Sequence, residues 1–184
     1  AALGPRCRTS RRIIMSKVGP EGRSFAPITS SDLHRLREIA LNDRRSFFAK
    51  HTKWSTLYLD RLLCIALCQG AALHYLRGDT GINDFDVYLF YSEHPEQAWY
   101  AKRIKSYDFG DAKFGQSIDK PRFVGRRVDI LGRSILASPG DDPMRSLQNY
   151  LRQGNTQTAR LLSEKAVVLL EPVEYLEQVI WPMP

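Results

Sequence analysis

Two apolar runs of strand length, LLCIALC at 62–68 and FDVYLFY at 85–91, stand either side of a segment too long for a hairpin turn. Periodicity alone does not tell a buried strand from a buried helix at 62–68. The residues after Cys68 decide it. Gln69–Gly70 breaks the run, AALHYL resumes with helix formers, and Arg77–Gly78 ends them. GDTGIN (78–83) is then a turn cluster leading into the second run. The spacing therefore predicts strand, glycine turn, helix, turn and strand.

The rest of the chain extends this alternation. Ser30 or Ser31 is placed to cap a helix with Asp32 in its first turn and Leu33, Leu36, Ile39 and Ala40 along one face, fading near His51. Residues 54–61 suit a short second helix, and 92–104 a turn and a helix. Short extended pieces with glycine turns are expected over 106–123. GRRVDILGRSIL (125–136) is a third strand pattern. SPGDDP (138–143) caps a helix whose first turn suits Pro143, with Leu147, Tyr150 and Leu151 as its apolar stripe. After Gly154–Asn155 a further helix runs to about Lys165, AVVLL forms a short strand, and VEYLEQVIWP suits a last helix. This is an α/β (α+β) chain with a small mixed sheet flanked by helices, the strand at 84–91 central, and a C-terminal helical segment.

At 184 residues the chain is long enough for one domain with a substantial core and too short for two large ones. Residues 30–184 read as that domain and residues 1–29 as a flexible, basic arm. The first 14 residues hold four arginines and no acid, and they read as a cloning or upstream-frame remnant with Met15 as a natural start. The net charge of +7 is therefore uneven: without those residues 23 basic face 20 acidic side chains. No run of about 18 apolar residues predicts a membrane span. Cys7, Cys64 and Cys68 have no paired spacing, which fits free thiols and a cytoplasmic chain. Zinc would need further ligands, and the four histidines supply no spacing for it.

The acids carry the chemistry. In a strand, residues i and i+2 face the same way, so Asp84 and Asp86 project together while Phe85 and Val87 face opposite. Carboxylates side by side repel, and a divalent cation removes the repulsion. Hard oxygen ligands suit Mg²⁺ (or Mn²⁺). Asp129 is again an acid where an apolar strand residue would be safer; if its strand neighbours 84–91, it completes a three-carboxylate set. The plainer readings are a turn role for Asp84 and pairing of Asp129 with Arg127, its i+2 neighbour. DFG at 108–110 spells a kinase motif, but no other kinase element accompanies it, so a hairpin corner is expected. A metal-dependent nuclease would want Lys two positions after its second acid, where this chain has Leu131. His74 reads as packing, and Arg145, Arg152 and Arg160 as a solvated helix face.

QGAALHYL, INDFDVYLF and RRVDIL together resemble the nucleotidyltransferase fold of the polymerase-β type, over about residues 60–132, and fit best its minimal members such as the AbiEii-like toxins. That family has a hydrophobic strand, then Gly-Gly or Gly-Ser opening a helix, then Asp-x-Asp or Asp-x-Glu, and a third acid on a later strand. The resemblance implies transfer of a nucleoside monophosphate from an NTP to a hydroxyl, on a tRNA 3′ end, other RNA or a protein. It also implies an antitoxin partner protein in a toxin–antitoxin pair. Asp84 and Asp86 would hold Mg²⁺; Asp129 would share one ion and help deprotonate the acceptor. Gly70 and Ala71 would approach the phosphates through backbone N–H groups. Lys165, where a helix meets AVVLL, and then Arg127 are the expected triphosphate-binding cations. Ala71 stands where the family carries Ser or a second Gly, and lacks its hydroxyl. The alternative is thus an inactive nucleotidyltransferase-like module that binds nucleotide, RNA or a partner protein.

Overall fold

A computed structural model describes residues 22–100 and 103–183. The expectations for residues 1–14, for Met15 and for Cys7 lie outside the described residues. The elements run α1 (Ser30–Lys50), α2 (Thr52–Tyr58), β1 (Leu62–Cys68), α3 (Gln69–Arg77), β2 (Phe85–Ser92), β3 (Ile104–Asp108), β4 (Arg127–Ile135), α4 (Pro143–Gln153), α5 (Gln157–Ser163), β5 (Val167–Glu171) and β6 (Val179–Trp181). One mixed sheet has the order β3-β4-β2-β1-β5-β6, so β2 is interior. Among the described residues only β2 and β4 pair in parallel; the other ladders are antiparallel. Among the described residues no helix is long and apolar enough to cross a membrane.

Alternating strand residues divide the core into two layers. Ile65, Leu67, Val87, Leu89 and Ile130 pack under α1, α2 and α3 with Leu33, Leu36, Phe48, Tyr58 and Ala72. Cys64, Ala66, Tyr88, Phe90 and Leu131 pack under α4 and α5 with Leu147, Leu151 and Leu162. Each fully buried leucine contributes roughly 2 kcal/mol of transfer free energy. Leu147 and Leu151 are the stripe that seats α4, which Asp142 caps by accepting from the Arg145 N–H at 2.7 Å. The α1 cap is Thr29 rather than Ser30 or Ser31, because Asp32 accepts both the Thr29 N–H and hydroxyl at 2.7 Å.

Ser24 exchanges backbone hydrogen bonds with Ile82, and Ile28 enters the core, so residues 24–28 lie against the body of the protein. His74, 1% exposed, completes that attachment. Its Nδ1 accepts from the Gly81 N–H at 3.0 Å, which leaves Nε2–H to donate to the Ala26 carbonyl at 3.2 Å.

Two expected helices are corrected as well. Residues 93–100 form no helix, despite their helix-forming composition. Trp99 stacks on Tyr91, with ring centroids 4.3 Å apart, and packs edge-on to Phe47, Phe48 and Tyr58. Gly132 makes room: a Cβ there would come within 2.0 Å of the Trp99 indole nitrogen. Side chains replace helical hydrogen bonds, since the Trp99 N–H donates to Ser134 Oγ and the Gln97 carbonyl accepts from Tyr58. The C-terminal segment is likewise no α-helix; it is a single 3-10 turn at Val173–Tyr175 and then β6, which pairs with β5 and buries Ile180.

Candidate functional site

Sheet register puts the acids in one row. Asp86 on β2 is opposite Cys68 on β1 and opposite Asp129 on β4, and Asp129 is opposite Ser106 on β3. These residues share the α4/α5 side of the sheet, opposite the side on which Phe85, Val87, Val128 and Ile130 are buried. Asp84 precedes β2 by one residue, in the turn after Ile82. Buried Arg126 braces that turn: it donates to the carbonyls of Phe114 at 2.8 Å, Gly22 at 2.7 Å and Asn83 at 3.4 Å.

The four acids of this region divide unequally around one cation. The Arg127 guanidinium hydrogen-bonds Asp84 and Asp119 and lies 3.2 Å from Asp129 Oδ2. Ser106 Oγ donates to Asp129 Oδ1 at 2.6 Å. Asp86 receives no hydrogen bond or ion pair among the described residues. Burial, helped by the neighbouring charges of Asp84 and Asp129, pushes its carboxyl from 3.8 up to about 7; Arg127 and Lys165 oppose the shift only in part. The plainer reading of Asp129, pairing with Arg127 on the same strand face, is realised.

A cavity of about 200 Å³ opens beside these acids, between the start of α3 and the α5–β5 connection. It brings together Gly70, Ala71, Asp84, Asp86 and Lys165 of the expected residues. Asp129 and Arg127 stand next to it without lining it. Gly70 leaves open space at the wall, since a Cβ there would meet nothing within 4 Å. Ala71 lines it too, yet is 2% exposed and belongs to the core. Lys165 is exposed at the rim. Among the described residues no group of three or more His, Cys, Asp or Glu side chains is arranged to hold a metal ion. Asp84 and Asp129 instead pair with Arg127.

Sequence reasoning missed several residues here. Arg23 and Asn83 line the cavity, and Arg23 Nη1 donates to the Thr80 carbonyl at 3.2 Å. Gln69 also lines it, in a left-handed conformation at φ 63°, where a non-glycine residue costs about 1 kcal/mol or more. Asp119 reaches Arg127 from a loop. Only Ser106 left a trace, as a small polar residue alternating with Lys105 and Tyr107 along β3. Cys64 and Cys68 are buried free thiols whose titration burial pushes up, which suits packing and not reactivity. Comparison with protein-family models, with curated proteins and with solved structures finds no match to this chain.

Proposed function

We propose that the protein is a divalent-cation-dependent nucleotidyltransferase, acting on an NTP and an acceptor hydroxyl of RNA (a tRNA 3′ end) or protein. The observation that carries this reading is the in-register pairing of Asp86 with Asp129 on adjacent parallel strands, with Asp84 two residues upstream, at the wall of a cavity that Gly70 and Lys165 share. The donor set fits a hard cation of the Mg²⁺ or Mn²⁺ kind. It consists of carboxylate oxygens alone, and its surplus negative charge helps burial to raise Asp86. Asp84, Asp86 and Asp129 would hold the ion or ions, which when bound neutralise triphosphate charge and lower the pKa of a bound hydroxyl.

The chain's own residues supply the rest. Lys165 offers a point charge to phosphate oxygens at the cavity rim, and Gln69 and Gly70 at the start of α3, which line the same cavity, would bring backbone N–H groups to phosphate. Asp129, oriented by Ser106 and Arg127, would help deprotonate the acceptor hydroxyl, while Asp86, which has no hydrogen-bond partner among the described residues, keeps its oxygens open to the ion. Arg127 shifts from a phosphate ligand to the group that holds the acids in the cation-free protein.

A second reading has one observation in its favour. Arg127 neutralises Asp84 and Asp129 without any metal, as a binding module with retired acids would. Incubation of the full chain with each α-labelled NTP, Mg²⁺ or Mn²⁺ and total cellular RNA or protein separates the two. Label on an acceptor that disappears in Asp86→Ala supports the transferase. Nucleotide binding without transfer under every condition rejects it in favour of the module.

A further inference from the structure

The side of the β3–β4 ladder away from the three acids carries the opposite charge surplus. There, between the last turns of α1 and β3, lies a cavity of about 220 Å³. Its one acid is fully engaged. Asp43, 2% exposed, accepts from Arg103 Nη1 at 2.8 Å and Nη2 at 2.7 Å, and from the Tyr107 hydroxyl at 2.7 Å. Arg103 lies over the Phe47 ring, 4.3 Å from its centroid, so its planar face is covered too. Lys50 and Lys105 line the same cavity, both exposed, and neither ammonium has an ion-pair partner among the described residues.

Two exposed rings accompany these lysines. His51 packs on Phe47, centroids 4.5 Å apart and 35° between planes, at the cavity wall. Tyr100, 48% exposed, is outside the cavity wall but tied to it through Arg103, whose N–H its carbonyl accepts at 3.3 Å, and its ring stacks on Trp54 at 6.1 Å and 27°. Each ring is backed by a second aromatic and belongs to an exposed residue. Inorganic phosphate would use the lysines and leave the rings idle. A duplex would keep its bases stacked inside and leave them idle as well. An extended single strand uses both, phosphates on ammonium groups and bases on ring faces.

We infer that this cavity binds single-stranded nucleic acid, with backbone phosphates on Lys50 and Lys105 and bases stacked on Tyr100 and His51. The inference concerns the reverse side of the sheet and stands or falls independently of nucleotidyl transfer at the acids. The test is a fluorescence-anisotropy titration of the full chain with a labelled single-stranded RNA of about 15 nucleotides, a length that spans one such groove, at several salt concentrations. The same RNA as a duplex and inorganic phosphate alone form the comparison arms. In Lys50→Ala/Lys105→Ala the affinity falls about tenfold and the slope of log K against log salt shrinks by about 1.4, two single-strand phosphate contacts. Tyr100→Ala weakens binding roughly tenfold with the slope unchanged. Lys50→Arg/Lys105→Arg restores the slope, which separates lost charge from lost folding. Arg145→Ala/Arg160→Ala, with the same change in net charge on exposed helix positions, retains the wild-type slope. Three results would overturn the inference: equal loss in the two alanine pairs, a duplex that binds as tightly as the single strand, or binding of inorganic phosphate without RNA.

Discussion

Two arginine–carboxylate centres sit on opposite sides of the same strand pair, and their stoichiometry differs. On the α1 side Arg103 meets one acid, Asp43, and Tyr107 completes that carboxylate. On the α4/α5 side Arg127 meets Asp84, Asp119 and Asp129, while Asp86 is left over. The first centre is closed: each partner satisfies the other in a bidentate geometry, and burial is tolerated for that reason. The second is open, with more negative charge than one guanidinium can neutralise, and its cost falls on Asp86. A closed centre ties α1 to β3. An open one leaves a carboxylate that a further cation would neutralise, as the proposed function requires.

Breaking the closed centre has the largest destabilising effect. Asp43→Ala leaves Arg103 half-buried without its partner and costs about 3 kcal/mol, a fall in Tm of roughly 10 °C for a chain of this size. Urea denaturation and a thermal melt measure it. Asp43→Leu/Arg103→Met removes both charges and recovers most of the loss, since an apolar pair of similar volume replaces a buried ion pair at little cost. A double variant as unstable as the single would mean that α1 needs the charges themselves.

The open centre responds in the opposite direction. The Asp86 carboxyl has a folded-state value near 7 against 3.8 ordinarily, so between those values the folded protein binds the extra proton. Stability at this locus is therefore fully present below about pH 4, declines as pH rises to about 7, and is flat above. Asp86→Asn removes the decline and is more stable than wild type at pH 8 by up to about 4 kcal/mol. Chemical denaturation at pH 5 and pH 8 reads both arms. If the wild-type profile is flat over this range, Asp86 is not the overcharged member. Mg²⁺ at pH 8 stabilises the wild type and not Asp86→Asn under the proposed function.

The two centres also differ in how far they were legible in the sequence. The open one was largely visible. LLCIALC, FDVYLFY and RRVDIL are interior strands whose length and apolar content dominate any local preference, and acids inside such strands stand out against their cost. The Arg127–Asp129 contact is the one the i+2 rule anticipates. Asp119 was not legible, because a loop brings it in. The closed centre was invisible: Asp43 and Arg103 are 60 residues apart, and neither breaks the pattern of its own segment. The failed helix at 93–100 has the same cause, since its residues are good helix formers and only the aromatic pocket around Trp99 overrides them. At the C-terminus VIW had β-branched strand character, but its partner β5 had to be in place before that preference counted.

Arg127→Met tests whether the open centre awaits a cation. Removing the guanidinium leaves Asp84 and Asp129 facing each other across a half-buried space, and costs about 2 kcal/mol at pH 8. Mg²⁺ or Mn²⁺ then substitutes for the lost charge, so divalent cation raises the Tm of this variant more than that of the wild type. Mn²⁺ titration followed by electron paramagnetic resonance gives the affinity directly, with Arg127→Met the tighter binder. Equal affinities would mean that Arg127 does not compete for the acids.

The smallest effect concerns the link between the two sides. Ser106 belongs to β3, the strand whose Lys105 and Tyr107 face the closed centre, and its hydroxyl engages Asp129 in the open one. Ser106→Ala removes a single hydrogen bond to a charged acceptor and costs about 1 kcal/mol. The freed Asp129 oxygen adds to the negative surplus, so the Asp86 carboxyl titrates at higher pH than in the wild type. A carboxyl ¹³C NMR titration of both proteins reads that displacement. An unchanged Asp86 midpoint would show that the row from Ser106 through Asp129 to Asp86 is adjacency without electrostatic coupling.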